Sequence, residues 1–329
     1  MVQEDNPTLL QVEALRVRFP IGKTLVHAVN EVSLRVQSGE AVALVGESGS
    51  GKSTIMAAIL QLLAKDTQIS GRALFRGQDL LSMADAMIQR VRGREIAMIF
   101  QTPDSYLNPT KVIESQIIEP LLIHHLATPK EARLRAIELL SQVGFPDPEE
   151  RLHNYPFELS GGQLQRVMIA MALMTGPKLL IADEPTTALD VTVQAEVLVL
   201  LKEIQREHGM SLILTTHDLA VAAQMADHIY VLYGGKVMEH LSSSNLTTDC
   251  RHPYLQGLLQ SIPRIDGPRQ DLSFIPGHSV STVGGPPTGC LFAERCNRRF
   301  DRCRERPDLV RITADHEAAC WLAEREAVK

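Results

Sequence analysis

Gly46-Glu47-Ser48-Gly49-Ser50-Gly51-Lys52-Ser53 has the G-x-x-x-x-G-K-S spacing in which backbone amides wrap a row of phosphate oxygens. The apolar run Ala41–Val45 before it reads as a short buried strand. The run Thr54–Leu60 after it reads as a helix, so the loop has the strand-to-helix setting that a phosphate site requires. Glycine allows close approach of the backbone to a ligand, and the helix start adds unpaired N–H donors at a positive dipole end. In this setting Lys52 is expected to reach the β- and γ-phosphates, Ser53 to ligate Mg²⁺, and Glu47, Ser48, Gly49, Ser50, Gly51 and Thr54 to line the nucleotide.

Outward from this loop, Leu9–Phe19 and Glu31–Val36 cluster or alternate apolar residues as strands do, with turn signals at Gly22-Lys23 and Ser38-Gly39. They open a β-rich lobe. Ile96–Phe100 reads as another strand. From about Val112 to Val143 the periodicity is helical, broken at Pro103, Pro109, Pro120 and Pro129, which indicates an inserted helical subdomain. Lys178–Asp183 reads as a buried strand ending in acid, and Thr192–Arg206 places Val193, Val197, Leu200, Leu201 and Ile204 on one helical face. Ser211–Thr215 and His228–Tyr233 repeat the strand pattern around a helix at Leu219–Met225, as in a mostly parallel sheet built from crossover units.

With 329 residues the chain has room for a large domain and a smaller one. A net charge of −6 argues against a protein that binds nucleic acid through overall charge. No apolar run approaches the length needed to span a bilayer, and Met1–Pro7 lacks the basic and apolar regions of a secretion signal, so a cytosolic setting with free thiols is expected.

Asp183-Glu184 follows its strand with the form of a metal-holding carboxylate and an adjacent general base for the attacking water. The decisive element is Leu159-Ser-Gly-Gly-Gln-Leu-Gln-Arg166, which lies between the phosphate loop and Asp183-Glu184 and resembles the signature sequence of ATP-binding cassette (ABC) ATPases. Ser160, Gly161 and Gly162, with Gln163, stand at a helix start where hydroxyl and amide donors can meet an anion. The resemblance implies that this anion is the γ-phosphate of ATP bound to an opposing subunit. It further implies Gln101 as the glutamine that senses Mg²⁺ and the attacking water, Ala188-Leu189-Asp190 as the loop whose Asp190 approaches the nucleotide, and His217 as the switch histidine. Phe19 is the matching adenine-stacking aromatic. ATP and Mg²⁺ are the implied cofactors, held by Ser53, Gln101 and Asp183 on the metal side.

Cys290, Cys296, Cys303 and Cys320 form a C-x5-C-x6-C-x16-C set in Arg-rich, loop-like sequence, suited by ligand softness to Zn²⁺ or an iron–sulfur centre. This tail, with His252-Pro253-Tyr254 and Pro185–Gln194, is similar to the dipeptide/oligopeptide/nickel importer group, some of whose members carry a [4Fe-4S] cluster here. The resemblance therefore implies a [4Fe-4S] cluster, with Zn²⁺ as the alternative and Cys250 unligated. The sequence departs from that group after Gln101, where Thr102 replaces Asp and Tyr106 a small residue, and at Asn297, where Pro commonly follows the second cysteine.

The expected fold is α/β: a P-loop (RecA-like) core with an antiparallel β lobe and a helical signature subdomain at about residues 102–176, together spanning 1–240, then a cysteine-bearing extension at 241–329. The expected role is the ATP-hydrolysing subunit of an importer at the cytoplasmic face of the plasma membrane. Its implied partners are a second homologous ATPase, two permease subunits and an extracytoplasmic binding protein. The alternative is a soluble ABC ATPase of DNA repair or translation. The interval from Lys52 to Leu159 is too short for the long coiled coil of repair members, and the single cassette differs from the paired cassettes usual in translation members.

Overall fold

A computed structural model describes residues 7–102, 105–187, 189–262 and 274–327. The readings made for Met1–Asn6, Pro103, Asp104 and Ala188 lie outside the described residues.

In chain order the strands and helices begin with β1 (Thr8–Ile21), β2 (Thr24–Gln37), β3 (Ala41–Val45), α1 (Lys52–Ile59), β4 (Gln68–Phe75) and β5 (Gln78–Asp79). They continue through α2 (Asp85–Val91), β6 (Ile96–Ile99), α3 (Ile113–Ile117), α4 (Glu119–Ile123), α5 (Pro129–Gln142), α6 (Pro148–Arg151), α7 (Gly161–Leu173), β7 (Leu179–Asp183), α8 (Val191–Glu207) and β8 (Ser211–Thr216). The last are α9 (Leu219–Met225), β9 (His228–Tyr233), β10 (Lys236–Ser242), α10 (Pro253–Gln260), β11 (Val310–Thr313), β12 (His316–Ala318) and α11 (Trp321–Ala327). The chain divides into two compact units, one built mainly from Ser82–Thr215 and the other from Thr8–Val36, Ala41–Leu81 and the residues from Thr216 onward.

The first unit is a parallel sheet of β6, β7 and β8 with helices α2–α8. Every residue of β7 and β8 is buried, which is why these strands read as continuous apolar runs and not as alternating ones. The helix starts are written in side chains. Thr128 and Glu131 form a capping box at α5, with Pro129 at its first turn, and Ser160 and Gln163 form the same box at α7. Asp190 caps α8 by accepting from the amides of Thr192 and Val193, each at 3.1 Å.

The second unit carries an antiparallel sheet in the order β2-β1-β4-β5. It also carries β3, which pairs in parallel with β9, followed outward by antiparallel β10, β12 and β11. β10 runs on to Ser242, past residue 240, and its Glu239 and His240 pair with Ala318 and Glu317 of β12. The C-terminal extension thus supplies strands to the sheet that supports the phosphate loop. Leu291 and Phe292 from the extension pack in one core with Val45, Val231, Tyr233, Tyr254 and Leu255.

Candidate nucleotide and thiol sites

The glycines of the phosphate loop take conformations closed to other residues. Gly46, Gly49 and Gly51 have φ of 158°, 78° and 100°, and a Cβ on Gly46 would lie 2.2 Å from the Leu232 carbonyl oxygen. Gly51 precedes α1 and, lacking a side chain, makes no side-chain cap there. The Lys52 ammonium, almost fully buried, donates to the carbonyls of Gly46 at 2.8 Å and Glu47 at 3.2 Å. The buried Ser50 hydroxyl has no protein partner, and its carbonyl accepts from the Gly235 amide at 3.1 Å. A closed glycine ring, an orphaned hydroxyl and a buried lysine fit a phosphate chain. Ser48, Gly49 and Ser53 are exposed at the rim. Phe19 lies near the end of β1, half-buried, and His217 follows β8, exposed; both belong with the phosphate loop to the second unit.

The first unit holds the carboxylates expected to act in hydrolysis. Asp183 ends β7 opposite Thr215 of β8, whose hydroxyl donates to the Asp183 carboxylate. Glu184 follows at a φ of 45°, a left-handed conformation for a residue with a side chain. Its amide is held by both the hydroxyl and the carbonyl of Thr215, each at 3.1 Å. One carboxylate oxygen of Glu184 accepts from the Gln101 carboxamide and from the Thr187 hydroxyl, both at 3.0 Å. The Thr187 contact with Glu184 is one that spacing alone does not expose.

In the signature segment the Ser160 hydroxyl accepts from the Gln163 amide at 3.3 Å, while the Gln163 side chain accepts from the Ser160 amide at 2.9 Å. The hydroxyl proton is left to donate outward. The two glycines differ in cause. A Cβ on Gly162 would lie 2.6 Å from a Val193 methyl of α8, whereas among the described residues one on Gly161 would meet Leu189 alone, at 3.9 Å. Gly162 is therefore small because two helices pack there, and Gly161 is the open position. Tyr106, the departure after Gln101, stacks on Phe100 with ring centroids 3.9 Å apart.

Cys290, Cys296, Cys303 and Cys320 all line one cavity, together with Phe292 and Trp321, and Cys250 is not in that lining. Burial pushes the Cys290 thiol up to about 11 and also raises Cys296 and Cys320, the neighbouring thiols adding to the effect. Among the described residues, no three His, Cys, Asp or Glu side chains form a group that could hold a metal ion. The Arg302 guanidinium sits 3.7 Å from the Trp321 ring centroid, and Trp321 donates to the Glu305 carbonyl at 3.1 Å, which ties the neighbours of Cys303 and Cys320 together.

Residues 29–187 match the ABC transporter family, and residues 238–303 match the oligopeptide/dipeptide transporter C-terminal region. The chain is 45% identical over 324 residues to the dipeptide transport ATP-binding protein DppD of Bacillus subtilis, covering 97% of this chain and 96% of that protein. It is 40% identical to the oligopeptide transport ATP-binding protein OppD of Escherichia coli, covering 98% and 95%. Among solved structures, the dimeric ATP-binding cassette MJ0796 in a post-hydrolysis state bound to ADP and Pi superposes with a TM-score of 0.64. It is 29% identical and covers 71% of this chain and 98% of that one. Motifs, fold and end-to-end similarity agree: this chain belongs to the ATP-binding proteins of ABC transporters and is an ATPase of that family.

Proposed function

We propose that this ATPase powers the uptake of peptides or related small solutes through partner permease subunits. The observation that carries the reading is similarity along nearly the whole chain, C-terminal region included, to ATP-binding proteins of dipeptide and oligopeptide transport. In this reading the chain works at the cytoplasmic face of the plasma membrane with a second homologous ATPase, two permeases and an extracytoplasmic binding protein. Among the described residues no helix is long and apolar enough to cross a membrane, so the route for the solute is assigned to the permeases. The alternative of DNA repair or translation finds no support in these relatives.

Each site residue has a proposed role. Lys52 and the amides of the phosphate loop bind the β- and γ-phosphates, Ser53 and Asp183 are oxygen ligands for Mg²⁺, and Phe19 stacks on the adenine. Mg²⁺ when bound supplies positive charge against the phosphate oxygens. Glu184 takes a proton from the attacking water, Gln101 and Thr187 orient its carboxylate, and His217 polarises the reacting phosphate. Ser160, Gly161, Gln163 and Asp190 serve a nucleotide on an opposing subunit. For the thiols we propose a [4Fe-4S] cluster held by Cys290, Cys296, Cys303 and Cys320, with Zn²⁺ as the alternative. The shared cavity lined by all four supports the reading; soft sulfur ligands suit such a centre once they lose their protons, although as placed no three of the described side chains form a group that could hold a metal ion.

Purification of the chain from its native membrane in mild detergent tests the assignment. Recovery of two polytopic permeases and a homologous ATPase supports an importer; recovery of soluble nucleic-acid machinery alone overturns it. Iron, sulfide and broad absorbance near 400 nm in anaerobically prepared protein identify the cluster. Zinc without iron selects the alternative, and neither metal removes both.

A further inference from the structure

A buried arginine of the extension reaches the phosphate loop. The Arg295 guanidinium, 8% exposed, donates to the Glu47 carboxylate at 2.8 Å, to the Tyr233 hydroxyl at 3.4 Å and to the carbonyls of Ile275 at 3.3 Å and Pro276 at 2.9 Å. Glu47 is the second residue of the phosphate loop, and the extension grips both its ends. Its amide donates to the Tyr254 hydroxyl at 3.1 Å, and its carboxylate also accepts from the Ser279 hydroxyl. The Glu47 carbonyl in turn accepts from the Lys52 ammonium at 3.2 Å. A continuous path of hydrogen bonds therefore runs from Arg295, the neighbour of Cys296, to the lysine expected to meet the phosphates.

We propose that Arg295 is a positioning residue for nucleotide binding, fixing Glu47 and through its carbonyl the Lys52 ammonium, so that the C-terminal extension is part of the nucleotide machinery. A forked, buried guanidinium suits this task because it satisfies several acceptors in one fixed plane. Without it, the carboxylate keeps only the Ser279 hydroxyl, and the loop must be ordered when nucleotide binds, which weakens affinity. Proton abstraction stays with Glu184, and Lys52 keeps its charge, so kcat moves less than affinity.

The proposal rests on the phosphate loop being the nucleotide site, and Lys52→Ala in the full-length chain checks that separately. Loss of binding to a fluorescent ATP analogue upholds the loop; retained binding overturns both readings. With the loop upheld, Arg295→Ala is expected to raise Kd and KM about tenfold, as loss of a charge-assisted hydrogen bond implies, with kcat within about threefold. Arg295→Lys should recover part of the affinity. Glu47→Gln should weaken binding alone yet add little to Arg295→Ala, since both break one link. A lowered melting temperature with unchanged Kd in Arg295→Ala marks a merely structural residue and overturns the proposal, as do multiplicative effects in the double variant. If Arg295→Ala does not fold, wild-type Kd in both Arg295→Lys and Glu47→Gln overturns it.

Discussion

The carboxamide nitrogen of Gln101 lies 3.0 Å from the carboxylate of Glu184, and it donates to the same oxygen that Thr187 holds. Both donors meet the same carboxylate oxygen, which fixes the plane of the carboxylate. This arrangement orients a base without neutralising it, since neither neighbour carries a charge. Glu184→Gln keeps the volume and loses the base. ATP affinity should stay within about threefold while turnover of the assembled transporter falls by about 10²–10⁴. Phosphate release and nucleotide binding on the same preparation decide this, and near-normal release excludes Glu184 as base.

The close contact behind Gly162 makes a prediction with a built-in rescue. Gly162→Ala drives a methyl into Val193 of α8 and should destabilise the unit by about 1–3 kcal/mol. Val193→Ala in the same chain opens that space, and the double variant should melt above Gly162→Ala alone. If Gly162→Ala melts like the wild type, the packing explanation of this glycine fails.

In the phosphate loop, Gly46 and Gly49 separate two costs of a side chain. Both have positive φ, but a Cβ on Gly49 meets open space, whereas one on Gly46 strikes the Leu232 carbonyl oxygen. Gly49→Ala should cost about 1–2 kcal/mol of stability through backbone strain. Gly46→Ala should cost clearly more and also abolish nucleotide binding. Equal losses in denaturant melts would refute this ordering.

Two histidines couple stability to acidity. Burial, with His228 and His316 nearby, holds His240 at about 4, although the Glu317 carboxylate lies 3.7 Å from its ring. Burial likewise holds His252 at about 4, where its ring accepts from the Tyr254 amide at 3.0 Å. Because the folded values lie below the unfolded value of about 6.5, the unfolded chain takes up protons first as pH falls. Their contribution is fully present above about pH 6.5 and is lost as pH falls through about 4, by about 2 kcal/mol per histidine at pH 5. His240→Phe, which preserves stacking on Tyr230, should flatten the decline in melting temperature between pH 7 and pH 5. An unchanged slope would show that His240 does not drive it.

The elements legible in the sequence are those whose determinants are local. The fully buried runs Ala41–Val45 and Leu179–Asp183, the capping residues Ser160 and Asp190, and the glycine spacing before Lys52 each act over a few residues. What spacing does not reveal is pairing at long range. β10 is completed by β12, and Glu47 is bound by Arg295, 248 residues further along the chain. β4, with exposed Gln68, Ser70, Gly71 and Arg72, has an apolar run only at its end, Ala73–Phe75, and becomes a strand by pairing with β1. The cysteine spacing left metal identity open because several centres accept four thiolates. The sharing of one cavity by those thiols becomes visible only in three dimensions.

Glu239 of β10 is fully buried, yet its carboxylate accepts from the amides of Arg251 at 2.6 Å and His252 at 2.8 Å and lies 2.8 Å from the His316 ring. Two separate stretches of the tail therefore answer one carboxylate. A chimera that exchanges the tail between transporters would have to move Glu239, the 249–252 turn and His316 together, since a buried carboxylate stripped of such partners destabilises its host by several kcal/mol. The joint for exchanging tails consequently falls before β10, and the extension and that strand form one piece.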